Sequence, residues 1–212
     1  MIKSAIQLFE NEGIIWKIQT DTYQREIERY GTEVMALTET LFCEDSMAVV
    51  AMLDKTWGDE REPIRWQWCL KLIDAYLTDF GYNLTQKRDL LEKMKTSFAQ
   101  EFKIDKALKM QIDQRFRDNR QTIERILNND LTETHEYAPL FDSILFKTNS
   151  TIEIIQKIKA IKPENEWDKY LSDTIHMSVN RTISDNQRTH ELIMYDFLYR
   201  YYQAELAKAK TK

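Results

Sequence analysis

The stretch Tyr23-Gln24-Arg25-Glu26-Ile27-Glu28-Arg29-Tyr30-Gly31 packs four charged groups and two tyrosines into nine residues. Glu26 and Arg29 stand three apart, so one helical turn brings them to the same side. Two readings are open: a site at a junction between elements, where functional residues often collect, or an ordinary surface ion pair. Gly31 follows directly and suggests a backbone position with positive φ or a close approach, which would fix the orientation of the preceding arginine.

A second constellation lies in the predicted helix from Trp167 to Ile183. Asp173, His176 and Asn180 fall at i, i+3 and i+7 and so share a face. A neighbouring carboxylate or amide can hold a histidine there in one tautomer and let it move protons near neutral pH. The plainer alternative is a hydrogen-bonded structural histidine beside an apolar stripe. Arg181, Arg188 and His190 follow closely. Asp45-Ser46 reads as the N-cap of a segment beginning at Met47, and Ser46 lacks the Gly-x-Ser-x-Gly setting of a hydrolase nucleophile.

No Gly-rich phosphate loop, HExxH or CxxC occurs, and Cys43 and Cys69 stand far apart without a histidine at ligand spacing. No metal site and no cofactor are therefore expected. Chemistry based on a histidine, carboxylates and arginines stays open.

These groups need elements to hold them, and the composition points to long helices. Only four glycines and three prolines punctuate 212 residues, and hydrophobic residues make up 42%. The expected class is mainly α, in a single domain over residues 1–212. Apolar residues recur at helical spacing over Ile2–Glu12, from Glu33 to a stop at Trp57-Gly58-Asp59, from near Pro63 to Phe80, after a cap at Asn83 or Thr85, through Leu108–Leu127, over Pro139–Ile161, over Trp167–Ile183 and from about Arg188 to Ala209. Ile14, Ile15, Trp16, Ile18 and Thr20 form the exception, a β-branched and aromatic run that predicts one short strand. Asn128–Glu136, including His135, reads as a polar loop. The last helix carries Tyr195, Phe197, Tyr199, Tyr201 and Tyr202, a surface for the core with part of it available to another polypeptide.

With 30 Lys and Arg against 35 Asp and Glu, the net charge of −5 gives no basic field for direct nucleic-acid binding. No apolar run approaches the roughly 18 residues of a membrane span, and the acidic N-terminus does not resemble a signal peptide. A cytoplasmic location with free thiols is expected.

Taken together, YxREIERYG, the E-x-LF-x-x-DS segment that follows it, IHMSVNR and SDNQRTHELIMYDFLYRYY resemble the C-terminal domain of lantibiotic dehydratases and thiopeptide-type bacteriocin biosynthesis proteins. The likeness runs from about Gly13 to the end. In that family a large N-terminal domain esterifies Ser and Thr of a precursor peptide from glutamyl-tRNA, and the C-terminal domain eliminates glutamate to leave dehydroamino acids. The resemblance implies the eliminating role here, with the precursor peptide and a glutamylating dehydratase domain or subunit as partners. It implies proton transfer by His176 and a site pair of Arg29 and Glu26, with Tyr23, Arg25, Asn180 and Arg181 as substrate-binding neighbours. Related members build the pyridine ring of thiopeptides or add amino acids to a peptide.

Two departures from the family pattern stand out. Thr32 replaces a second glycine after Arg29-Tyr30-Gly31, and no R-x-R-like strand element precedes Ile14. The chain is thus expected to be the helical part of a larger α+β elimination domain, as a fragment, a split subunit or an inactive remnant. The alternative is a non-catalytic subunit that holds the precursor peptide or the dehydratase through its unpaired strand and aromatic helix.

Overall fold

The computed structural model describes residues 2–17, 21–56, 64–130 and 138–210. Among these the fold is mainly α: α1 (Ile2–Asn11), α2 (Ile27–Tyr30), α3 (Met35–Lys55), α4 (Arg65–Asp79), α5 (Leu84–Glu101), α6 (Lys106–Leu127), α7 (Ala138–Ile161), α8 (Trp167–Thr182) and α9 (Gln187–Lys210), with a 3-10 turn at Glu164–Glu166 before α8. The local signals are simple. Asn83 accepts from the amide of Gln86 while the Gln86 side chain accepts from the amide of Asn83, a reciprocal capping box that starts α5. Asp105 caps α6 through the amide of Leu108. Gly13, at φ +73°, follows the end of α1.

The predicted strand is not found. Residues 14–17 form a bend and open coil, with Ile14 69% and Trp16 92% exposed, and residues 18–20 lie outside the described part of the chain. A β-rich composition makes a strand only where a neighbouring strand satisfies its backbone groups, and none of the described segments supplies one. The predicted stop at Trp57-Gly58-Asp59, the start at Pro63, and His135 also lie outside the described residues.

The core is built by α3, α4, α5, α7, α8 and α9, with Ile123 and Leu127 of α6 joining it, and Trp68, Tyr76, Tyr170, Tyr195 and Tyr202 are fully or almost fully buried. Long α9 runs against α5 and also meets α4, α6 and α8. That environment uses its broad aromatic surface: Tyr195, Phe197, Leu198, Tyr201 and Tyr202 are all buried, and only Tyr199 is partly exposed. No helix among the described residues is long and apolar enough to cross a membrane.

Candidate active site

Two helix-periodic pairs from neighbouring helices meet at the α8–α9 contact. On α8, His176 and Asn180 are four residues apart; on α9, Glu191 and Tyr195 are four residues apart. Each pair therefore projects from one helix face. Across the contact, the four side chains form a chain: Asn180 Nδ2 lies 3.1 Å from His176 Nε2, His176 Nδ1 lies 2.8 Å from Glu191 Oε1, and the Tyr195 hydroxyl donates to the same Oε1 at 2.8 Å. Glu191 and Tyr195 are fully buried, whereas the His176 side chain keeps 29% of its surface. Burial, followed by the charge of Glu191, holds the Tyr195 hydroxyl well above its ordinary pKa, so it remains a donor. Among the described residues the second oxygen of Glu191, Oε2, has no hydrogen-bond partner.

His176 and Glu191 form part of the wall of a cleft of about 430 Å³ between α5, α8 and α9. Three cations around it are held by carboxylates. Lys93 pairs with Asp168 at 2.6 Å, Lys169 pairs with Asp173 at 2.9 Å, and Arg188 pairs with Glu101 while its guanidinium lies over the Phe98 ring at 4.6 Å. The cleft thus joins an imidazole, an apolar floor and a rim of ion pairs.

The Tyr23–Gly31 motif reaches α8 from the other direction. Tyr30 is completely buried, edge-on to Phe42 at 5.3 Å and to Tyr170 at 5.7 Å, and its hydroxyl donates to the Asp173 carbonyl at 3.4 Å. Gly31 has φ +92°, and a Cβ there would meet Glu33 Oε2 at 3.1 Å, so the expectation of a special backbone position holds. Next to this anchor, Arg29 pairs with Glu26 at 3.2 Å, and its Nη1 points at Met177 Sδ at 3.6 Å. Arg29 therefore contacts the residue beside His176 on α8. Neither Arg29 nor Glu26 lines the cleft itself.

The remaining predicted residues have other partners. Arg25 grips Glu39 of α3 with two bonds, at 2.8 and 2.7 Å, and this hydrogen bonding holds the Glu39 carboxyl below its ordinary pKa. Tyr23 stands beside the same carboxylate and is 66% exposed. Arg181 bonds Asp45 at 2.9 Å and covers the Phe42 ring at 4.5 Å.

Asp45 overturns the capping expectation. It and Ser46 lie inside an unbroken α3, where Ser46 Oγ donates to the Phe42 carbonyl and Asp45 is completely buried. Arg181 and the Tyr76 hydroxyl, at 2.9 Å, satisfy one Asp45 oxygen each and make that burial tolerable.

Sequence spacing brought Asp173, His176 and Asn180 to one face, but the carboxylate on the histidine is Glu191, while Asp173 turns to Lys169. The signal for Glu191 was an acid set four residues before Tyr195 within the apolar pattern Leu192, Met194, Leu198. Among the described residues no group of three or more His, Cys, Asp or Glu could hold a metal ion.

The family model described as lantibiotic biosynthesis dehydratase C-term matches residues 1–202. No curated protein and no solved structure matches the chain.

Proposed function

The chain belongs to the lantibiotic dehydratase C-terminal family, and so to lanthipeptide biosynthesis, and on that premise we propose that it eliminates glutamate from glutamylated Ser and Thr of a precursor peptide. The observation that carries this reading is His176, held between Asn180 and a buried carboxylate in the wall of a cleft, with Arg29 of α2 touching Met177, the next residue of α8.

In the elimination a base takes the Cα proton, the electron pair forms the Cα=Cβ bond, and the Cβ–O bond breaks as glutamate leaves with the ester oxygen. His176 takes the proton on Nε2, after the Asn180 amide gives way. The resulting imidazolium keeps its Nδ1 contact with Glu191 Oε1 at 2.8 Å. Arg29 is 39% exposed, and its ion pair with Glu26 at 3.2 Å is an exposed one, so it can exchange that partner for the glutamyl carboxylate. Arg25 and Tyr23 act at the edge through Glu39, and Arg181 acts through the stability of α3 and α8. Residues 1–212 work as one unit beside a glutamylating domain or subunit, in the cytoplasm, without a cofactor.

The test is incubation of a glutamylated precursor peptide with this chain and its glutamylating partner, followed by mass spectrometry. Replacing His176 by Ala should abolish glutamate release by roughly 100-fold or more, the usual scale for a positioned acid–base group; unchanged release would sink the role of His176.

A second reading, a non-catalytic subunit that holds the precursor peptide or the dehydratase, is supported by the exposure of Ile14 and Trp16. It requires that Trp16→Ala weaken peptide or dehydratase binding and that no glutamate be released under any pairing.

A further inference from the structure

Glu191 is an acid with no exposed surface in a stretch of α9 whose neighbours Leu192, Met194 and Tyr195 are all buried in the core. A carboxylate in such a place costs stability unless donors meet it. Two donors do, the Tyr195 hydroxyl and His176 Nδ1, and both converge on Oε1. The Asn180 amide nitrogen can only donate, so its contact makes His176 Nε2 the acceptor and places the ring proton on Nδ1, where Glu191 Oε1 accepts it at 2.8 Å. That leaves Nε2 with its lone pair, and the Asn180 amide nitrogen at 3.1 Å is the matching donor.

We infer that Glu191 is the positioning residue of this site: it fixes His176 as the Nδ1–H tautomer, reserves Nε2 as the proton acceptor facing the substrate, and leaves Asn180 as its occupant in the free protein. The tautomer rests on the geometry alone, and its catalytic consequence rests on the elimination reading above. Tyr195 completes the device by holding the carboxylate in place from the next turn of α9. The packing of α8 on α9 sets the alignment, so the histidine is oriented before any ligand arrives.

The test uses the full chain labelled with ¹⁵N. Long-range ¹H–¹⁵N correlation of the imidazole signals, with His176 assigned by its loss in His176→Gln, reports which nitrogen carries the proton once the ring is neutral. The wild-type chain should show a protonated Nδ1 and a bare Nε2. Glu191→Leu should move the proton toward Nε2, changing the tautomer ratio by about tenfold or more, the scale of one lost charge-assisted hydrogen bond. Glu191→Gln, which keeps an oxygen acceptor, should retain the Nδ1–H form.

A wild-type ring protonated on Nε2 overturns the inference by itself, even where Glu191→Leu fails to fold. So does an unchanged tautomer in a folded Glu191→Leu. With glutamylated peptide, Glu191→Leu should lower kcat roughly 100-fold with little change in KM, and Glu191→Gln should recover most of it. If His176→Ala leaves glutamate release intact while the tautomer is as stated, elimination by His176 fails and the positioning stands. If kcat falls in Glu191→Leu with the tautomer unchanged, the positioning fails and the elimination stands.

Discussion

At the α8–α9 contact the bonded polar side chains are mostly buried, while in the Tyr23–Gly31 segment they are largely exposed. Glu191 and Tyr195 have no surface, and their bonds to each other and to His176 are enclosed by two long helices. Arg25 and Glu39 keep 44% and 32% of their side-chain surface, and Arg29 and Glu26 keep 39% and 45%. Enclosed pairs hold a geometry because breaking them strands a buried charge, whereas exposed pairs exchange partners at little cost. Under the proposed elimination, the fixed half suits the base that must be aligned, and the exchangeable half suits the groups that would capture the glutamyl carboxylate.

The two arginines that resemblance assigned to substrate binding give the largest contrast. Arg181→Ala should destabilise the fold by about 3–5 kcal/mol, because it strands one oxygen of the buried Asp45; the measurement is the midpoint of urea unfolding. Tyr30→Ala should cost a similar amount, about 3–5 kcal/mol, by opening a cavity between Phe42 and Tyr170. It should also release Arg29 from Met177, so that peptide affinity falls together with stability. Tyr30→Phe should keep the packing and lose the hydroxyl's long bond to the Asp173 carbonyl and its hydrogen bond with Arg29.

Acid titration extends the contrast to Asp74. Burial alone would push its carboxyl up, but Lys87 at 2.8 Å and Lys71 at 3.1 Å, with the Tyr202 hydroxyl, hold it below its ordinary 3.8. Since the folded pKa is depressed, this contribution is fully present above the unfolded pKa and is lost as pH falls below 3.8 through the folded value. Asp74→Asn should therefore be less stable at neutral pH and show a flatter loss of stability between pH about 4 and 2, followed by circular dichroism. Asn83→Ala should cost about 1 kcal/mol by removing the cap of α5, without touching the cleft.

The smallest effect belongs to Arg25→Ala, which should leave the urea midpoint unchanged and alter only binding of the precursor peptide. Equal destabilisation by Arg25→Ala and Arg181→Ala would remove the distinction between the two halves.

Much of the helical fold could be read locally. Apolar spacing placed α3 to α9, and polar punctuation narrowed the cap of α5 to Asn83 or Thr85, of which Asn83 serves, and marked the positive φ at Gly31, because these depend on residues within a turn or two. The same local rule put Glu26 beside Arg29 and His176 beside Asn180. It misled at Ile14–Lys17, where side-chain preference for a strand had no partner to pair with, and at Asp45-Ser46, where residue types that favour helix starts lie in the middle of a helix.

Amino-acid order by itself determined the helices, the family and which side chains share a face of α8. Only tertiary structure decided that Glu191 rather than Asp173 serves His176, that Arg181 belongs to Asp45, and that Arg29 stops at Met177 beside the cleft. A helical period fixes direction around one axis, but a contact between helices depends also on how they rotate and slide against each other. That choice is made by the burial of Tyr30, Tyr170 and Tyr195, which α2, α8 and α9 bring into one common core.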